Sequence, residues 1–194
     1  MAREHTFFAL IARMRYIDRW ALMRNTSREN IQEHSHMVAV LAHALAVISN
    51  EYFDAQIDPG QVAVAALYHD ATEIITGDMP TPIKYYSKTI RDSYREVEDM
   101  AAQRLLKKLP AQLRPAYEQL LQPAEEEIEL LVKAADKLSA YLKCVEELKA
   151  GNNEFKLAKE QTYAALEKMN CPALKLFMDQ YLPAFDLTLD ELER

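Results

Sequence analysis

The residues of this chain best suited to chemistry are His34, His69, Asp70, Glu73 and Asp136. His69, Asp70 and Glu73 close an alanine-rich run, residues 63–73, that reads as a helix. At ~100° per residue, Val62, Ala65, Ala66 and His69 share one stripe, with Glu73 one turn beyond His69 and roughly 6 Å from it. His34 falls between Ile31 and Val38 on the buried stripe of an earlier helix, and Asp136 stands beside the stripe of a later one. Imidazoles and carboxylates at the end of a buried face are costly unless something compensates them, and a divalent cation does so most economically. Two imidazoles with two carboxylates suit a divalent transition metal such as Co, Mn, Fe, Ni or Zn. With positions left open for a phosphate oxygen and a water, that is an arrangement for metal-assisted hydrolysis.

Helical geometry constrains this set. His36 lies about 200° round the helix from His34 and His43 about 180°, so neither can join His34 on one ion. His69 and Asp70 are adjacent and diverge by ~100°; to share an ion, either the ion sits between their directions or the helix distorts there. Blander readings exist: His34 as a core histidine satisfied by a hydrogen bond, and Asp136 in a salt bridge with Lys133 or Lys137.

Two further stretches carry candidate binding groups. Arg19-Trp20 joins a planar cation to the only tryptophan of the chain. The arginine suits a bidentate grip on phosphate and the indole a sugar or base; alternatively Trp20 plugs the core and Arg19 pairs with a surface carboxylate. Gly77-Asp78-Met79-Pro80-Thr81-Pro82-Ile83-Lys84 is the densest cluster of helix breakers. As a loop it would either rim the pocket, offering Asp78, Thr81 and Lys84 to a ligand, or serve as an ordinary rigid connection.

The elements that must position these groups are helical. Three glycines, eight prolines and 49% hydrophobic residues, with long runs of Ala, Leu, Glu, Gln and Lys, predict an all-α single domain over residues 1–194. Period and breakers predict helices over 5–17, 29–49, from Asp58-Pro59 to Glu73, and over 89–109, 110–121, 124–150, 155–169 and 171–182, with a connecting loop over 18–27. Gly151-Asn152-Asn153 ends the 124–150 helix. A net charge of −7 argues against a polymeric nucleic-acid partner. Two cysteines without metal or redox spacing make cytoplasm the default compartment. The apolar run over 37–48 is too short to span a bilayer.

The order His34, then His69-Asp70, then Asp136 resembles the HD-domain phosphohydrolase pattern. Arg19-Trp20, Glu33-His34-Ser35, Tyr68-His69-Asp70-Ala71-Thr72-Glu73, the 76–84 segment, Tyr141-Leu142-Lys143-Cys144 and Gly151-Asn152-Asn153-Glu154-Phe155 resemble, more closely, the bacterial 5′-deoxynucleotidases. Gln32 and Thr72 depart from that family's usual residues. The resemblance implies an all-helical HD-domain bundle that forms a homodimer. It also implies divalent-metal hydrolysis of deoxyribonucleoside 5′-monophosphates, with broad base tolerance and selection against ribose. His34, His69, Asp70 and Asp136 are then the metal ligands, and Arg19 orients the phosphate. Trp20 packs where a ribose 2′-hydroxyl would sit, and Glu73 is the acid/base candidate. Asp78 and Thr81-Pro82-Ile83-Lys84 contact the substrate, as do the ligands His34 and Asp136. Rival readings are another HD enzyme, acting on guanosine tetraphosphate, cyclic dinucleotides or deoxynucleoside triphosphates, or a non-catalytic nucleotide-binding helical module. Ile74, where the tetraphosphate hydrolases carry a second acid, weighs against the first.

Overall fold

A computed structural model describes residues 5–84, 86–123 and 125–193. Within them the chain is all-α, with one isolated antiparallel bridge, Asp18 to Asn30, closing the loop before the second helix. Helix α1 (Phe7–Ile11) tightens into a 3₁₀ segment over Ala12–Tyr16, so the expected 5–17 helix is shorter and of two kinds. Helix α2 (Ile31–Phe53) starts where Asn30 accepts from the Glu33 N–H and Glu33 reaches back to the Asn30 N–H. Helix α3 (Pro59–Tyr68) starts where Asp58 accepts from the N–H groups of Gly60 and Gln61, ahead of a proline that has no N–H to satisfy.

Here the structure corrects the sequence reading. The run over 63–73 is not one helix: α3 ends at Tyr68, residues 69–72 form a turn, and a short α4 (Glu73–Thr76) follows. Bonds in the turn reach three residues back instead of four: His69 N–H to the Ala66 carbonyl at 3.5 Å, Ala71 to Tyr68 at 3.0 Å and Glu73 to Asp70 at 3.0 Å. Gly77, at φ +73°, ends α4 in the left-handed region that a side chain would resist.

The 77–84 stretch is likewise not loop throughout, because Thr81–Lys84 forms a single helical turn, α5. Helix α6 (Lys88–Leu106) is capped by Ser87. Helix α7 (Arg114–Leu121) begins later than Pro110, with Pro115 in its first turn. Helix α8 (Glu126–Lys149) carries Glu126, Glu127 and Glu129 in its first turn, where the helix dipole favours them. Gly151, at φ +83°, turns the chain out of it. The chain closes with α9 (Lys156–Glu167), α10 (Pro172–Gln180) and a last turn, α11 (Leu189–Leu192). Ala124 and Arg194, included in the sequence reading, lie outside the described residues.

Two apolar clusters frame the site. The larger joins α2, α3, α8 and α10 through Val38, Leu45, Val62, Leu138, Leu142 and Leu174. Alanines 42, 46, 65 and 66 keep side-chain bulk out of the α2–α3 contact. The smaller joins α1, α6 and α7 through Phe7, Leu105, Leu109 and Leu121 and takes in Ala71. Ala66 is anchored in one cluster and Ala71 in the other, so the polar turn spans the seam between two cores.

Candidate metal centre

Three helical elements deliver the donors. His34, on α2, is wholly buried; its Nε2 lies 3.0 Å from Asp136 Oδ1 on α8 and 3.6 Å from Asp70 Oδ2. Its other nitrogen, Nδ1, lies 3.2 Å from Ser139 Oγ, three residues after Asp136 on the same face of α8. His69, just past α3, has Nδ1 2.7 Å from the Ala66 carbonyl oxygen. A carbonyl only accepts, so Nδ1 carries a hydrogen and Nε2 is the nitrogen turned toward the donor cluster. Nε2 is buried, 3.1 Å from Asp70 Oδ2, and without a hydrogen-bond partner.

Donor atoms of His34, His69 and Asp136 all lie within 4.8 Å of one another. The contacts of Asp70 Oδ2 with His69 Nε2 at 3.1 Å and with His34 Nε2 at 3.6 Å link Asp70 into the same group. Donors about 3–4 Å apart are what a first-row divalent ion with bonds of ~2.0–2.2 Å holds together. The buried Nε2 of His69, which makes no hydrogen bond and meets the Asp70 carboxylate at 3.1 Å, is the observation that fits this best.

The electrostatics agree. Burial works against the charged form of every group here, yet His69 is raised to about 9 by Asp70 and Asp136. Asp70, opposed by burial, is lowered to about 2 by His69 and His34. Asp136, also opposed by burial, is held well below the ordinary range by its hydrogen bond with His34 and by His69 and Arg19. Two carboxylates held ionised inside a protein form a receptor for positive charge, and a cation that binds there takes the place of a proton. Asp136 does not pair with Lys133 or Lys137 as the bland reading had it; Lys133 pairs with Glu129.

Arg19 stands over this centre. Burial lowers its pKa, but the fields of Asp70, Asp136, Glu29 and Asp78 more than reverse that. Its Nε lies 3.4 Å from Glu29 Oε2, a carboxylate only 16% exposed and so not the surface partner expected. Trp20 adopts φ +59°, with its ring 5.3 Å from Phe155 and its indole Nε1 donating to Glu29 Oε2 at 3.2 Å. It is half-buried, not a core plug.

Glu73, 8% exposed, is raised to about 10 by burial and then by Asp70 and Asp78, against Arg19 and Lys84. It carries a proton at neutral pH and lies in the same electrostatic field as Arg19, although the helix meant to aim it is broken. Asp78 is raised by burial, opposed by Arg19 and by a hydrogen bond from the Trp20 backbone. Lys84 pairs with Glu98 at 2.9 Å and sits 4.8 Å over the Tyr94 ring. Thr81, Pro82 and Ile83 are exposed on α5, and no described hydrogen bond or ion pair joins them to the donor cluster.

Sequence reasoning missed the supports. Ser139, Glu29 and the Ala66 carbonyl each hold a site residue, as does a buried knot around Glu147. Glu147 pairs with Lys143 and accepts from the Thr26 N–H at 2.9 Å, the Ser27 N–H at 3.2 Å and Asn152 Nδ2 at 2.8 Å. Asn152 Nδ2 also donates to the Arg24 carbonyl at 2.7 Å. The knot ties the loop that begins with Arg19-Trp20 to the end of α8. Its signal was present as a Lys143–Glu147 pair at i,i+4 on the apolar face.

The all-α scaffold that gathers the His-Asp turn, a second histidine and a remote aspartate has the fold of solved HD-domain phosphohydrolases. An HD-domain phosphohydrolase of Listeria innocua shares this fold at TM-score 0.81, with 23% identity and coverage of 93% of this chain and 88% of that one. The HD phosphohydrolase of cyanophage S-2L, solved bound to dA and one catalytic Zn²⁺ ion, does so at TM-score 0.66 and 22% identity, covering 93% and 96%. Within the class, the family described as 5′-deoxynucleotidase YfbR-like matches residues 6–185. A 5′-deoxynucleotidase of Enterobacter sp. (strain 638) is 45% identical over 100% of this chain and 98% of its own, and one of Pectobacterium atrosepticum is 47% identical over the same shares. The chain belongs to the YfbR-like 5′-deoxynucleotidase family.

Proposed function

We infer that this chain is a metal-dependent phosphomonoesterase that converts deoxyribonucleoside 5′-monophosphates to deoxyribonucleosides and phosphate, with broad base tolerance and selection against ribose. The observation that carries the reading is the convergence of His34, His69, Asp70 and Asp136 beside the buried guanidinium of Arg19. Those four residues would hold the ion. A divalent cation, when bound, polarises a phosphoryl oxygen and acidifies water.

The chain's own residues do the rest. Arg19, its side chain 12% exposed, meets the phosphate charge with a planar donor edge. Glu73 enters the reaction with a proton on its carboxyl group and is the donor to the departing 5′-oxygen. Trp20 presents an indole face to the sugar, and Asp78, Thr81, Pro82, Ile83 and Lys84 border the approach. Membership of the family supports the substrate class. The Zn²⁺ and dA held by the cyanophage neighbour support a divalent ion and a deoxynucleoside in this fold. A homodimer and a cytoplasmic location belong to the same reading; no helix among the described residues is long and apolar enough to cross a membrane.

The test is phosphate release from a panel of ribo- and deoxyribonucleoside 5′-monophosphates, before and after metal stripping and re-addition of Co, Mn, Fe, Ni or Zn singly. Turnover should vanish on stripping, return with at least one metal, and favour the deoxy substrates. Undiminished turnover after stripping, or equal rates on dAMP and AMP, would overturn it.

A further inference from the structure

We propose that Glu29 is the positioning residue for sugar discrimination, fixing Trp20 and Arg19 together through one carboxylate oxygen. The proposal rests on the functional reading above. Neighbouring side chains on an ordinary extended chain point to opposite sides. Arg19 and Trp20 do not separate in this way: Trp20 Nε1 is 3.2 Å and Arg19 Nε 3.4 Å from the same atom, Oε2 of Glu29. What brings them round is the φ of +59° at Trp20, a left-handed conformation that bulky side chains resist and that persists only where surroundings impose it. The Trp20 carbonyl is held by the Met23 N–H at 2.9 Å and by Asn25 Nδ2 at 3.3 Å, and its indole N–H by Glu29.

Glu29 is itself fixed relative to the donor cluster. Its carbonyl accepts from the Arg19 N–H at 2.9 Å, the Ile31 N–H donates to the Ile17 carbonyl at 3.0 Å, and Asn30 between them caps the helix that bears His34. The carboxylate thus stands at a set distance from the metal ligands and passes that register to the indole and the guanidinium. Its two contacts differ in kind. The indole needs an acceptor oxygen, whereas the guanidinium, whose Nε makes no hydrogen bond, needs the negative charge.

The experiment uses Glu29→Ala, Glu29→Gln, Trp20→Phe and the Glu29→Ala/Trp20→Phe double variant, with dAMP and AMP as probes. Trp20 is the only tryptophan, so tryptophan emission reports the surroundings of this side chain alone. Glu29→Ala should lower the dAMP-over-AMP ratio of kcat/KM by about tenfold, raise KM for dAMP and shift Trp20 emission to the red, with metal content unchanged. Glu29→Gln keeps an acceptor and should recover the ratio to within about threefold, while KM stays raised because the charge is gone. In the double variant Trp20→Phe should lower the ratio no further than Glu29→Ala alone does.

A folded Glu29→Ala variant with the parent's ratio and emission would overturn the proposal. So would a folded Glu29→Gln variant that fails to recover the ratio, or additive losses in the double variant. If the parent protein hydrolyses neither nucleotide, the functional reading fails; equilibrium binding of dAMP and AMP to the same variants then tests Glu29 by the same ratio.

Discussion

Nε2 of His34 lies 3.0 Å from Oδ1 of Asp136, although 102 residues separate the two in the chain. That contact joins α2 to α8, and His69 and Asp70 meet it from the turn after α3. Both nitrogens of each imidazole are thereby accounted for: one faces the donor cluster, and the other faces a support, Ser139 for His34 and Ala66 for His69.

Removing a donor should abolish metal and turnover together. His69→Ala removes one imidazole donor and the positive neighbour that most favours the Asp70 carboxylate, so metal per chain in the purified protein should fall below detection, along with phosphate release from dAMP. A His69→Ala protein that keeps a full equivalent of metal would contradict the donor set.

Removing a support should weaken the ion without abolishing the site. Ser139→Ala takes away the partner of His34 Nδ1 and frees the ring to turn. Metal affinity, measured by competition with a chromophoric chelator, should fall about 10–100-fold, and excess metal should restore turnover.

Glu73→Gln separates proton supply from metal binding. The amide matches the size of the neutral carboxyl group but cannot give up a proton, so kcat on dAMP should fall about 10²–10⁴-fold while metal content and melting temperature hold. A loss of metal equal to the loss of rate would reassign Glu73 to holding the centre.

The Glu147 knot makes a stability prediction. Glu147→Ala strands the buried Lys143 ammonium and should cost about 3–5 kcal/mol in urea unfolding. The knot also carries a pH signature. Burial alone would raise the Glu147 carboxyl, but Lys143, Thr26 and Asn152 hold it well below the usual range. The unfolded chain therefore binds this proton more readily than the folded one. The stabilisation is present above the unfolded value of about 4.3 and is lost as pH falls below it. The stability gap between the parent protein and Glu147→Gln, measured from pH 7 down to pH 3, should narrow on the acid side.

By itself the sequence determined the helical class, the face on which α2 presents His34, and several element ends. Helical period set His34 on the buried stripe and excluded His36 and His43, which are exposed. Asp58-Pro59 started α3 as read, because cap and proline chemistry is local. Tertiary structure alone decided what those side chains meet. The His69-Asp70 pair shares a centre because the chain tightens there, and it tightens because Ala66 and Ala71 are held in different apolar clusters, a constraint absent from any single helix. The partner of Asp136, the grip of Glu29 on Trp20 and Arg19, and the Glu147 knot were hidden for the same reason. Periodicity fixes the angle of a side chain about its own axis, whereas distances between axes come only from packing.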